Sequence, residues 1–255
     1  MKTDTRGLVV SEKRVGEDDR LVTVLTEDMG LLRAFVRRSK RAGGKLSATR
    51  LFTYSRFSIF EGRDSYIIDD AQPLEVFFDL RKDIGRLSLA QYFCELSTAL
   101  APQGAEAGDF LRLVLNAMYF LCRGTRTQAV LKAAVEMRMM SLAGYQPDLV
   151  GCAECGSYEA GVMYFLPRQG SLLCENCRGP KGAEPAYGLH AGALAALRHT
   201  VYAEFPKLFS FRLSPEAERE LSAASESYVL ETLQRRFRTL DFYRQMEDPP
   251  GASES

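Results

Sequence analysis

Two different periods of apolar residues divide the chain. From residue 6 to about residue 70 the apolar positions fall in short alternating or mixed runs that hold Leu8, Val10, Val22, Val24, Leu32, Ala34 and Val36. Turn signals separate the runs: Gly16-Glu17-Asp18-Asp19, Glu27-Asp28-Met29-Gly30, Gly43-Gly44 and Glu61-Gly62-Arg63-Asp64. Five short strands in so few residues predict a small barrel, and an OB-type fold is the natural five-stranded choice. After Pro73 the spacing becomes helical. Leu87, Ala90, Phe93, Cys94 and Leu100 form one stripe, Phe110, Leu113, Val114, Ala117 and Leu121 a second, and Val130, Ala134, Met137 and Leu142 a third. Asp109 and Thr127 are placed to cap the second and third helices, and Gly144 to end the third with Pro147 shortly beyond. Further helical segments follow at Ala191–His199 and after Ser214-Pro215-Glu216, where Ser214 caps and Pro215 takes the first helical position.

The expected architecture is α+β and multidomain. A five-stranded OB-fold barrel occupies residues 1–75 and an all-α domain residues 76–245, with an inserted zinc-ribbon-like segment at 148–180. The Pro/Ser/Gly-rich tail, residues 246–255, is expected to be disordered.

Composition narrows the partners. Apolar residues make up 46% and charged residues 26% of the 255, which is ordinary for a soluble globular protein. Net charge is +0, so an anionic partner must be met by a local patch. No charged-then-apolar leader opens the chain and no apolar run approaches the roughly 18 residues of a membrane span. A cytoplasmic protein without a membrane partner is expected, and in that reducing compartment thiols favour metal over disulfides.

Two Cys-x-x-Cys pairs, Cys152/Cys155 and Cys174/Cys177, are separated by 18 residues. Each turn delivers two sulfurs, and together they close a tetrahedral shell around one structural zinc ion per chain. A filled shell leaves no position for an activated water, so zinc hydrolysis is disfavoured. Cys94 and Cys122 stand in apolar helical runs and read as core. Other enzyme signals are poor. His190 and His199 have no acidic or nucleophilic partner at helical spacing, and neither a phosphate loop nor a nucleophile elbow is present. Gly43-Gly44-Lys45 reads as a loop tip, and Glu17, Asp18 and Asp19 as turn acids. The chain is expected not to be an enzyme.

Electrostatic patterning is more informative. Between Asp28 and Glu61 there is no acidic residue, while Arg33, Arg37, Arg38, Lys40, Arg41, Lys45, Arg50 and Arg56 supply eight positive charges. Strand alternation puts Arg33, Phe35 and Arg37 on one face and Leu32, Ala34 and Val36 on the other. Likewise Phe52, Tyr54 and Arg56 would share a face, although Phe52 and Tyr54 are equally compatible with the core. Aromatic rings among arginines suit single-stranded nucleic acid, where each stacked base contributes roughly 1–3 kcal/mol. The loop Arg37–Lys45 would then touch phosphates without reading sequence. A solvated basic face is the plain alternative. Arg235, Arg236 and Arg238 could add to the patch or form the polar side of a last helix.

Three stretches carry a family resemblance. Ser11-Glu12-Lys13-Arg14-Val15-Gly16-Glu17-Asp18-Asp19-Arg20-Leu21-Val22-Thr23-Val24-Leu25-Thr26, continued to Gly30, is similar to the first hairpin of the RecO family of bacterial recombination mediators. Leu87-Ser88-Leu89-Ala90-Gln91-Tyr92-Phe93-Cys94-Glu95-Leu96 resembles its first long helix. Gly144-Tyr145-Gln146-Pro147-Asp148-Leu149, followed by Cys152 and Cys155, resembles its approach to the zinc segment. The likeness spans about residues 5–245. It implies a DNA repair protein that binds single- and double-stranded DNA and anneals complementary strands. With RecR, it would help load RecA onto DNA coated by single-strand-binding protein. The barrel would carry the DNA and RecR contacts, and the helical domain would dock the C-terminal tail of single-strand-binding protein, at residues that no motif marks. A cytoplasmic, nucleoid-associated location follows. Some members lack the cysteines, which supports a structural metal. A protein-interaction scaffold whose basic barrel binds acidic peptides is the alternative function.

Overall fold

The computed structural model describes residues 2–15, 19–37, 43–62, 65–179 and 184–247. The strands are β1 Lys2–Val15, β2 Asp19–Thr26, β3 Leu31–Val36, β4 Thr53–Glu61 and β5 Tyr66–Val76, with α1 Gly43–Ala48 between β3 and β4. There follow α2 Ile84–Leu100, α3 Gly108–Arg123, α4 Gln128–Leu142, β6 Met163–Leu166, β7 Ser171–Cys174, α5 Glu175–Arg178, β8 Tyr187–Leu189, α6 Ala191–Tyr202, α7 Pro215–Leu233 and α8 Arg238–Glu247. Packing groups the barrel with α2, α3 and α8 in one compact unit, and residues 124–236 form a second. Of the tail, residues 248–255 lie outside the described residues, as do Gly16, Glu17 and Asp18.

The barrel follows from one-sided alternation. The pairings run β1–β2–β3–β5–β4, and β4 pairs back with β1, so every strand has two neighbours. Val9, Val22, Val24, Leu32, Ala34, Val36, Phe57, Ile59, Ile68 and Ala71 fill the interior. β1 serves two partners, pairing Lys2–Leu8 with β4 and Gly7–Val15 with β2, and a register shift between Val9 and Ser11 bends it to do so. The seam between β3 and β5 is parallel and short, with Ala34 opposite Tyr66 and Phe35 opposite Ile67.

Two local expectations change here. Gly43-Gly44 is not a loop tip but the start of α1, whose Ala48 is fully buried in the barrel core. A crossover is needed at this point because β3 and β4 are not neighbours, and turn signals alone do not separate a hairpin from a crossover. Asp109 does not cap α3 from outside. It lies in the helix's first turn, where its charge suits the dipole. Thr127 and Ser214 do cap α4 and α7, accepting from the N–H groups of Val130 and Ala217.

Within the first unit, the β2–β3 turn is stitched to the α2–α3 loop. Leu31 N–H donates to Pro102 O at 2.8 Å, Gly104 N–H to Met29 O at 3.0 Å and Ala107 N–H to Glu27 O at 2.9 Å. Gly30 makes this possible: its φ is +64°, and a Cβ there would lie 2.1 Å from Pro102 O. Gly30→Ala combines left-handed strain with a main-chain clash. It is expected to cost about 2–4 kcal/mol, read as a lower thermal midpoint. α8 packs onto α2, with Phe237 edge-on to Tyr92 at 5.7 Å and Tyr243 fully buried.

In the second unit α4 is nearly all buried, including Lys132 and Glu136. Lys132 Nζ lies 3.2 Å from Glu136 and 2.8 Å from Glu226, and the Ser225 hydroxyl donates to Glu136 at 2.7 Å. The pairing offsets the desolvation of charges taken out of water. β6 is the centre of a three-stranded sheet, order β7–β6–β8, that carries the cysteine segment. No helix among the described residues is long and apolar enough to cross a membrane.

Candidate metal centre and nucleic-acid interface

The first cysteine pair sits on a knuckle before β6. Cys152 N–H donates to Ser157 O at 2.9 Å, Gly156 N–H to Cys152 O at 2.8 Å and Ala153 N–H to Leu172 O at 2.8 Å. Gly156, with φ +73°, takes the left-handed position that closes the turn after Cys155. Cys174 ends β7 and Cys177 lies one turn on in α5. The four sulfurs lie within 4.8 Å of one another, with Cys155 and Cys174 at 3.7 Å. Tetrahedral ligands at about 2.3 Å from a metal stand about 3.8 Å apart, so the cluster needs little adjustment to hold an ion. Cys152 and Cys174 are buried, and the other two reach the surface.

Main-chain donors prepare the sulfurs. Burial pushes the Cys152 thiol up, but the N–H groups of Cys155, Cys174 and Glu154 outweigh it and bring the thiol down to about 6. The Ser157 hydroxyl, 3.1 Å from Cys155 Sγ, lowers that thiol as well. Cys177 is driven up by hydrogen bonds to the Cys174 and Cys155 sulfurs, which hold its proton in place. A divalent cation would displace that proton and answer the charge of the other sulfurs. The four cysteines can therefore hold a metal ion.

The basic window separates into parts. On β3, Leu32, Ala34 and Val36 point into the core, Arg33 is exposed and Phe35 is half-buried on the outer face, and Arg37 is exposed just past the strand. A groove of about 720 Å³ runs along this face, lined by Leu21, Thr23, Arg33, Phe35, Tyr66 and one carboxylate, Glu61, among others. Register explains the grouping, since Phe35 faces Leu21 and Arg33 faces Thr23 across the β2–β3 ladder.

Other members of the window lie elsewhere. Phe52 does not share a face with Tyr54 and Arg56: it is 1% exposed, with φ +65°. That backbone turn precedes β4 and breaks the alternation, while Phe52 N–H donates to Val9 O and its carbonyl accepts from Phe77 N–H. Arg50 pairs with Glu12 at 3.3 Å. Arg56 lines a small separate cleft with Arg6 and three carboxylates, Asp4, Glu27 and Asp28. Arg38, Lys40 and Arg41 lie outside the described residues, as does the Lys45 side chain, although Lys45 itself is on α1. Arg235 and Arg236 are exposed in the connection after α7 rather than on the last helix, which begins at Arg238. His190 has an acidic partner, Glu220, at 2.6 Å, which lies thirty residues away and so escapes any spacing rule.

Comparison with known proteins agrees over the whole length. The profile described as Recombination protein O N terminal matches residues 1–77, and that described as Recombination protein O C terminal matches residues 81–241. A DNA repair protein RecO from Acetivibrio thermocellus is 31% identical over 245 residues, covering 95% of this chain and 96% of the relative. One from Symbiobacterium thermophilum is 29% identical over 240 residues, covering 92% and 94%. Another, from Desulforudis audaxviator, is 30% identical over 243 residues, covering 95% and 96%. Two family models that between them match residues 1–77 and 81–241, with a relative 31% identical over 95% of the chain, show that this protein belongs to the RecO family.

Proposed function

We propose that this protein is a DNA repair and recombination mediator. It binds single- and double-stranded DNA, anneals complementary strands and, with RecR, helps load RecA onto DNA coated by single-strand-binding protein. The observation that carries the reading is the outer face of β3, where Arg33 and Arg37 flank Phe35 beside an open groove. Rings there accept bases and guanidinium groups follow phosphates. Arg38, Lys40, Arg41 and Lys45 supply further phosphate contacts, whereas Arg50, paired with Glu12, and Arg56, beside Asp4, Glu27 and Asp28, do not line this groove. Annealing needs no catalytic side chain. Two complementary strands repel each other, a basic surface lowers that barrier, and the effect fades as salt rises. Zinc is the metal that four thiolates in this spacing favour, and its role is structural.

Binding of a fluorescent single strand across a salt series tests the reading. Affinity should fall linearly with salt on a double-logarithmic plot. Affinity absent at low salt, or flat with salt, sinks it.

A protein-binding role for the same unit has its own support. Phe78 is 66% exposed with the Arg81 guanidinium 5.8 Å from its ring centre, and Tyr119 is 45% exposed with Arg123 at 5.2 Å. Phe78, Tyr119 and Arg123 line one cleft of about 460 Å³ together with two carboxylates, Glu75 and Asp79, the second of them paired with Lys82 at 2.6 Å. The exposed rings and the guanidinium groups beside them suit an apolar peptide end that carries a carboxylate, as the resemblance implies for the C-terminal tail of single-strand-binding protein, while Glu75 and Asp79 disfavour acidic residues deeper in the cleft.

A further inference from the structure

Arg198 is the one arginine of the second unit that is nearly buried, at 9% exposure on α6. Its guanidinium donates to three main-chain carbonyls: Leu149 O from Nε at 2.8 Å, and Val150 O at 3.2 Å and Tyr158 O at 2.6 Å from Nη2. The fork also lies 3.8 Å from the centre of the Tyr158 ring. Leu149 and Val150 precede Cys152, and Tyr158 follows Cys155. One side chain therefore ties the two ends of the first ligand knuckle together and fixes them to a helix.

The local chemistry explains why an arginine is needed. Within the knuckle the N–H groups of Glu154 and Cys155 face the Cys152 sulfur, while those of Cys152, Ala153 and Gly156 donate to other carbonyls. Carbonyls at its neck are left facing the helix, that of Leu149 buried and those of Val150 and Tyr158 partly so, and carbonyls withdrawn from water require donors. The neck is tight, since a Cβ on Gly151 would meet Gly156 O at 2.9 Å. A planar guanidinium holds its donors in a fixed fork, so Nε and Nη2 reach carbonyls on both sides of the knuckle at once, whereas an ammonium offers its three donors from a single point on a flexible stem. Charge points the same way. Among the described residues the contacts of Arg198 are carbonyls and a ring, with no carboxylate among them. A dication held by four thiolates carries a net dinegative charge, so a buried guanidinium beside the knuckle complements the loaded centre.

We infer that Arg198 is a positioning residue for the metal centre: it pre-forms the Cys152–Cys155 half of the site and thereby sets how tightly the ion is held. This rests on the reading of the four cysteines as a zinc site. The test uses the full-length protein loaded with zinc, challenged with a chromogenic chelator, in wild type, Arg198→Lys and Arg198→Ala. Outer-sphere groups of this kind typically change metal affinity about 10–100-fold, and a loss in that range is expected for Arg198→Ala, with Arg198→Lys between it and wild type. Thermal midpoints with and without chelator separate this from a plain packing role. The stabilisation conferred by zinc should shrink in the variants, whereas a packing role lowers loaded and stripped protein equally. Should Arg198→Ala fail to fold, Arg198→Lys decides alone. Wild-type affinity and an unchanged zinc-linked stabilisation in Arg198→Lys would overturn the inference. Wild-type protein that takes up no zinc would instead remove the metal reading beneath it.

Discussion

Protein carrying Cys174→Ser is expected to be purified without zinc and with its cysteine segment unfolded, yet still able to bind DNA. Cys174 is 3% exposed at the end of β7, and its sulfur is 3.7 Å from that of Cys155. The segment it serves is small: two four-residue strands, a three-residue strand and one helical turn. So little chain buries too little apolar surface to hold itself together, and structural zinc contributes about 10–16 kcal/mol in comparable peptides. A hydroxyl is a poor substitute for a thiolate, so most of that contribution should vanish. Metal analysis should fall from about one zinc per chain to almost none, with rapid proteolysis within residues 148–180. Single-strand affinity should stay within about twofold, because the proposed interface is on the barrel. A still-folded variant that no longer binds DNA would make the zinc segment a DNA contact. Full zinc retention would show that Cys174 is not a ligand.

The second large effect is expected from charge reversal on β3. Arg33→Glu combined with Arg37→Glu leaves the core positions Leu32, Ala34 and Val36 untouched, so the fold should survive. Single-strand affinity at low salt should drop at least about tenfold. The salt slope should become shallower by about 1.4, two phosphate contacts at about 0.7 each on a single strand. Phe35→Ala provides the complementary readout. It removes a stacking surface worth about 1–3 kcal/mol while leaving the salt slope unchanged. A loss of slope without loss of affinity, or the reverse pairing of effects, would assign these side chains the wrong roles.

How much of this was legible in the sequence depended on what decides each feature. β3 was readable because one of its faces is core: alternation at Leu32, Ala34 and Val36 then fixes where Arg33 and Phe35 point. The four-cysteine cluster was readable because ligand spacing is a local property of a turn. Phe52 was not resolved, because a positive φ before β4 shifts the alternation by one residue and nothing in an aromatic–threonine pair announces it. Arg50 and Arg56 belong to one basic window along the chain, but linear charge carries no information on which acids the fold brings beside them. Folding brings Glu12 to Arg50 and places Asp4, Glu27 and Asp28 around Arg56. Lys132, Glu136 and Arg198 escaped for a related reason. Each sits in an apolar helical run, and the groups that justify burying it come from other elements: Glu226 and Ser225 on α7, and the carbonyls of residues 149, 150 and 158. Long-range satisfaction of a buried charge leaves no periodic trace.

The most direct measurement of the central claim is a fluorescence assay of annealing between two complementary single strands. Wild-type protein should accelerate annealing, the acceleration should fade with added salt, and the Arg33→Glu/Arg37→Glu protein should lose most of it while remaining folded. Acceleration that is absent in wild type, insensitive to salt, or unchanged in the double variant would contradict the account.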